Sequence, residues 1–169
     1  MKKKSLLFTA ILVVLFLSPF CVYSTEILGI YFPPYEGAEK PIIQAYDKAE
    51  KYIHLAIYGF TKEDITEALV RAHKRGVEVK VLMDKSQAKD SHAQDKALEA
   101  AGVTVRRSTR QGMMHNKFCV IDGIIIYTGS YNHTAGGTKK NDENYIIIKD
   151  KETASKYEHQ FQRLWEKHK

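Results

Sequence analysis

Cysteine is nearly missing from this chain of 169 residues: only Cys21 and Cys119 occur. Cys21 lies in an N-terminal segment with the marks of a leader, so one thiol remains after cleavage and an internal disulfide is excluded. Cys119 sits inside the apolar run Phe118 to Ile121 and reads as a small buried hydrophobe, not a reactive thiol. The chain has seven histidines, but Cys/His pairs at zinc-ligand spacing are absent, which argues against a structural zinc site. There is no internal repeat, no low-complexity tract and no sign of a second domain. Beyond the first two dozen residues no long apolar loop offers itself to a bilayer.

What is present is ordinary for a globular protein: 44% hydrophobic and 27% charged residues. The length suits one domain with a real core.

The first 24 residues differ in kind. Lys2, Lys3 and Lys4 precede an apolar run from Leu6 to Leu17, broken by Ser18-Pro19. Val22-Tyr23-Ser24 puts a β-branched and a small residue at the −3 and −1 positions of a cleavage site. The pattern predicts a secretory signal peptide cleaved after Ser24 and a periplasmic or secreted protein. Retained, residues 6–23 would act as a membrane anchor instead, although the firm apolar run is shorter than the roughly 20 residues of a spanning helix. Cleavage removes three lysines and no acidic residue, leaving 23 basic against 20 acidic side chains and a net charge of +3. A mildly basic chain fits a polyanionic partner.

Along residues 25–169 strands alternate with helices. Strands are expected at Ile27 to Phe32, Ile53 to Tyr58, Val77 to Met83, Val103 to Arg106, Lys117 to Ile121, Ile124 to Tyr127 and Tyr145 to Ile148. Helices are expected from Pro41 to Lys51, from a Thr61/Asp64 capping box to Gly76, from Ala93 to Ala101 and from Lys151 onward. Residues 134–142 read as a polar loop. The alternation, with a β-hairpin inserted late, predicts an α/β fold with a mixed sheet sandwiched by helices.

His115-Asn116-Lys117, then Asp122, then Gly129-Ser130-Tyr131-Asn132 carry the chemistry. His115 and Lys117 are two apart in a strand pattern, which puts them on one face. A turn at Asp122-Gly123 returns a second strand, bringing Ser130 and Asn132 to the same end. Lys117 supplies a fixed cation, and Ser130 and Asn132 supply hydrogen bonds to phosphate oxygens. The neutral imidazole of His115 is suited to attack phosphorus and form a phospho-histidine. Glu143 is placed to accept from an imidazole N–H and fix its tautomer. Asp122 is either a turn residue or a direct participant. The set occurs once, yet the leaving alcohol needs a second acid. Two copies facing across a two-fold axis would supply it, so a homodimer is expected. Arg106, Arg107 and Arg110 are steering residues or a solvated basic edge; Lys139-Lys140 reads as solvated. His133 is left out of the site.

These residues resemble the phospholipase D superfamily, whose pattern H-x-K-x₄-D-x₆-G-S-x-N is matched at His115, Lys117, Asp122, Gly129, Ser130 and Asn132, with Glu143 also in place. Length, the single motif, Tyr58-Gly59-Phe60-Thr61 and Arg75-Gly76-Val77 look most like its small bacterial endonucleases, over roughly residues 26–166. The resemblance implies a phospholipase D-like fold with one motif per chain. It also implies an obligate homodimer with one composite site, and a phosphodiesterase that needs neither metal nor cofactor. The catalytic set would be His115, Lys117, Asp122, Asn132 and Glu143. Phosphate would be held by Lys117, Ser130 and Asn132. Nucleic acid is the expected substrate. Phospholipid is the alternative, and a catalytically silent nucleic-acid or membrane-binding module is a third reading that the intact motif argues against.

Overall fold

The structure is a computed structural model, and it describes residues 24–109 and 111–169. The expected signal peptide, up to residue 23, and Arg110 therefore lie outside the described residues. Seven strands, β1 (Glu26–Tyr31), β2 (Tyr52–Ile57), β3 (Glu78–Met83), β4 (Thr104–Arg107), β5 (Lys117–Ile121), β6 (Ile125–Gly129) and β7 (Tyr145–Lys149), form one sheet. Their order is β1-β7-β6-β5-β2-β3-β4. β2, β3 and β4 run parallel, and every pairing from β2 outward through β5, β6, β7 and β1 is antiparallel. The mixed sheet expected from the sequence is thus present.

Helices α1 (Glu39–Asp47), α2 (Glu63–Lys74), α3 (Asp95–Ala100), α4 (Ala135–Lys139) and α5 (Lys151–Lys167) complete the fold. One face of the sheet buries Leu55, Ile57, Val81, Cys119 and Tyr127 with Ile42, Leu69 and Leu98 of α1, α2 and α3. The other buries Ala56, Leu82, Phe118 and Val120 against Ala154, Phe161 and Trp165 of α5. With both faces covered, β5 (KFCVI) is buried at every position, as a central strand between two helical layers should be. Cys119 is fully buried, as expected.

Two local expectations fail. The Thr61/Asp64 capping box does not form: Lys62 takes the N-cap position of α2 with no side-chain cap, and Asp64 Oδ1 instead accepts from the Ile65 N–H at 2.9 Å. The polar loop at 134–142 contains α4, whose cap is Thr134 Oγ1 accepting from the Gly137 N–H at 3.0 Å. A helix of five residues with two glycines has no apolar stripe to announce it. α5 starts where expected, with Asp150 Oδ2 accepting from the Thr153 N–H at 2.7 Å.

Strand direction decides which loops meet. β1, β2, β3, β4 and β6 end, and β5 and β7 begin, at one edge of the sheet. Loops from distant parts of the sequence therefore converge there.

Candidate active site

His115 is exposed just before β5, and Lys117, the first residue of β5, is 8% exposed. The Lys117 Nζ donates to the His115 carbonyl oxygen at 2.9 Å. The ammonium so braces the backbone that carries the imidazole. Burial pushes Lys117 below the usual lysine range, and the Glu143 charge opposes that shift. A phosphate oxygen arriving here meets a partly desolvated cation, which strengthens their attraction.

Ser130 and Asn132 follow β6 at the same edge. Asn132 Oδ1 accepts from the Gly59 N–H at 3.0 Å. With its oxygen engaged, its NH₂ is the end left to donate to a substrate. The Ser130 hydroxyl donates to Glu143 Oε2 and accepts from the Asn144 N–H at 3.1 Å. Within one chain this hydroxyl braces the carboxylate rather than facing a phosphate. Glu143 also accepts from Asn141 Nδ2 at 3.2 Å, and its own N–H donates to the Pro33 carbonyl at 3.0 Å. Among the described residues no hydrogen bond to the His115 ring is present, so the expected His115–Glu143 contact is not made within this chain.

Gly129 explains the closeness of these loops. A Cβ added there would stand 2.1 Å from the Asn144 carbonyl oxygen and 2.6 Å from Tyr145 Cα. Only glycine lets β6 and β7 approach closely enough for Ser130 to reach Glu143.

Asp122 is elsewhere. It closes the β5–β6 turn at the far end of β5, about 16 Å from Lys117 at some 3.3 Å per residue. Its oxygens accept from the backbone N–H groups of Glu50, Lys51 and Tyr52 at 3.0, 2.7 and 3.0 Å. Asp122 (φ 55) and Gly123 (φ 70) hold the left-handed conformation of a tight hairpin turn. The structure thus corrects its placement among the catalytic residues: its carboxylate ties the α1–β2 loop to the hairpin.

Two residues of the site, Tyr58 and Asp84, lie outside the spaced His115–Asn132 pattern, although Tyr58 opens the Tyr58-Gly59-Phe60-Thr61 stretch. Tyr58 directly follows β2. Its ring lies 4.6 Å from the His115 ring and 4.9 Å from Lys117 Nζ, and its hydroxyl accepts from Gln87 Nε2 at 3.1 Å. Asp84, directly after β3, is 1% exposed. It accepts from the Met114 N–H at 2.7 Å and the Ser86 N–H at 2.8 Å, which anchors the segment leading into His115. Burial opposes ionisation of Asp84, but these bonds prevail and hold its carboxyl below the usual range. Strand ends are the signal for both residues, and that signal needs the sheet order to be read.

Arg106 and Arg107 are not free to steer a substrate. Arg106 lies 4.2 Å over the Trp165 ring and donates to the Trp165 carbonyl, while Arg107 pairs with Asp95 and Glu99. His133 is fully buried, with Nε2 2.7 Å from the Tyr127 hydroxyl and its pKa pushed down to about 3 by burial. It belongs to the core. Among the described residues no group of three or more His, Cys, Asp and Glu is gathered to hold a metal ion, and no helix is long and apolar enough to cross a membrane.

A family model described as cardiolipin synthase, PLD-like domain, matches residues 42–165, which span the whole of this site. The chain belongs to the phospholipase D superfamily. It is 40% identical over 126 residues to a phospholipase D of Rickettsia typhi, covering 75% of this chain and 62% of that one. It is 36% identical over 121 residues to a mitochondrial cardiolipin hydrolase of Xenopus tropicalis, covering 72% and 58%. The match thus spans about three fifths of the length of these curated relatives. Among solved structures it resembles Nuc, a phospholipase D family member from Salmonella typhimurium, with a TM-score of 0.80 and 28% identity over 86% of this chain and 97% of that one. The phospholipase D-like fold expected from the motif is therefore the fold observed.

Proposed function

We propose that the protein is a phosphodiesterase that acts without a metal, most specifically a non-specific endonuclease hydrolysing DNA and RNA at a site shared by two chains. One observation carries this reading: His115, Lys117, Asn132 and the Ser130–Glu143 pair converge on one sheet edge although 27 residues separate His115 from Glu143. An imidazole nitrogen of His115 attacks phosphorus as the ester P–O bond breaks. Lys117 and the Asn132 NH₂ stabilise the charge on the non-bridging oxygens. The leaving oxygen takes its proton from His115 of the second chain. Water then cleaves the phospho-histidine, giving its proton to that second imidazole, and the site is restored. A single His115 cannot attack and protonate from opposite sides, which is why a homodimer belongs to the reading.

The mild basic balance of residues 25–169 supports a nucleic-acid substrate, and the leader supports export. The Rickettsia and Xenopus relatives, named for phospholipid chemistry, favour the second reading, a phospholipase D. So do β1 and the residue after it, where Ile27, Ile30 and Phe32 are each more than half exposed at the sheet edge.

The deciding experiment incubates the protein with plasmid DNA, RNA and phosphatidylcholine side by side in EDTA. Cleavage of the nucleic acids alone supports the endonuclease. Cleavage of the lipid alone transfers the site to phospholipid, and a strict metal requirement refutes the mechanism. A fully active monomer refutes the shared site.

A further inference from the structure

Two clefts open on the α5 side of the site, and Asn116 lines both. The first, about 390 Å³, runs from His115 and Lys117 to Lys156, Tyr157 and Gln160. The second, about 120 Å³, runs from Asn116 to Leu164, Lys167 and His168. No carboxylate lines either. A larger hollow at the start of α2, about 560 Å³, is lined by Glu63, Asp64, Glu67 and Asp90 against Lys62 and His92, an acidic balance that disfavours a polyanion.

Lys156, Gln160, Arg163 and Lys167 are spaced at four, three and four residues, so they share one face of α5. Both lysines are exposed. Lys156 to Lys167 spans about 16 Å at 1.5 Å per residue. That is about five nucleotide steps along one strand of a duplex at 3.4 Å each. Lys156 Nζ is 2.8 Å from Glu152, but both side chains are about three-quarters exposed. Such a pair is weak and yields readily to a phosphate. Tyr157, packed edge-on against Phe118 with ring centroids 5.2 Å apart, offers an aromatic surface beside the path of the bases.

We propose that the two clefts form one track along α5 for the nucleic-acid backbone on either side of the scissile phosphate. Lys156 and Lys167 hold phosphates at its two ends, and Gln160 lies between them. The proposal rests on the endonuclease reading and gives it a physical basis. A phospholipid presents one phosphodiester, or two in cardiolipin, and then apolar tails, so it has little use for cations spaced along a track on both sides of the site. A polymer of phosphodiesters does.

The test measures binding of a fluorescent oligothymidine to the full-length chain over a range of salt, with His115→Ala in every sample to stop turnover. Each lost phosphate contact should make the slope of log K against log salt shallower by about 0.7 for a single strand. Lys156→Gln with Lys167→Gln should therefore change the slope by about 1.4 and weaken binding about 25-fold near 0.1 M salt. Lys48→Gln with Lys74→Gln removes the same charge from the α1 and α2 side and should change the slope far less. Equal slopes for the two pairs overturn the track. If the protein with His115 intact cleaves DNA while the α5 pair leaves the slope unchanged, the track alone falls. If it cleaves phosphatidylcholine and neither cuts nor binds nucleic acid, the functional reading falls and the track with it.

Discussion

Replacing Asp122 separates its two readings. Its carboxylate accepts three backbone N–H bonds from residues 50–52. Hydrogen bonds to a charged acceptor contribute about 1.5–3 kcal/mol each when shielded, but the Glu50 and Lys51 amides are open to water, so about 3 kcal/mol in all is reasonable. Alanine at φ 55 adds roughly 1 kcal/mol of left-handed strain. Asp122→Ala should then destabilise by about 4 kcal/mol, lowering Tm by about 8–16 °C for a chain of this size. Asp122→Asn keeps an acceptor oxygen and tolerates the conformation, so it should cost only about 1–2 kcal/mol. Calorimetry gives the two Tm values, and phosphodiester turnover is read well below the lower one. The structural role predicts turnover within a few-fold of wild type in both variants. An Asp122→Asn protein with wild-type Tm and turnover reduced more than about a hundredfold, the scale of a lost general acid–base group, would refute the reasoning.

Gly129→Ala should destabilise by at least about 1–3 kcal/mol, the usual range for overpacking, because the Asn144 carbonyl cannot retreat without parting β6 from β7. Denaturant unfolding measures the loss, and an unchanged midpoint would contradict the packing. Tyr58→Ala should lower kcat about tenfold or more by freeing His115 and Lys117, at the scale expected for misplaced reacting groups. Tyr58→Phe, which keeps the ring and loses only the Gln87 bond, should retain most activity. His133 stays neutral in the folded chain down to about pH 3, whereas in the unfolded chain it protonates near 6.5. Between those values the unfolded state binds more protons, so stability falls as pH drops below about 6.5, by up to about 1.4 kcal/mol per unit. His133→Gln should flatten that slope in pH-dependent melts; an unaltered slope assigns it to other groups.

Much of the site was legible because strand periodicity is local. The spacings of His115/Lys117 and Ser130/Asn132 across a tight turn put all four at one hairpin end, although His115 stands just before β5 and Ser130 and Asn132 just after β6. The same logic put Asp122 in the turn after β5 but left its role open, because spacing does not say what a turn carboxylate binds. β5 is five residues long, long enough to carry Asp122 out of reach of Lys117. The part that Tyr58 and Asp84 play in the site was illegible for a related reason. They reach the site only because β2 and β3 run parallel and end where β5 begins, and those pairings join residues far apart in sequence. The arginines show the converse. Charge in the sequence looked available, but Trp165, Asp95 and Glu99 engage Arg106 and Arg107 in the fold.

By itself, then, the sequence determined the α/β alternation, the hairpin with its His115–Lys117 pair, and the motif that places the chain in its superfamily. Each depends on spacings of a few residues, which backbone geometry converts directly into facing side chains. Only the tertiary structure decided that Ser130 braces Glu143, that Asp122 fastens a loop, that Tyr58 packs against both imidazole and ammonium, and that acid-free clefts lead from the site along α5. Those arrangements arise from packing between segments up to 72 residues apart, where local periodicity carries no information.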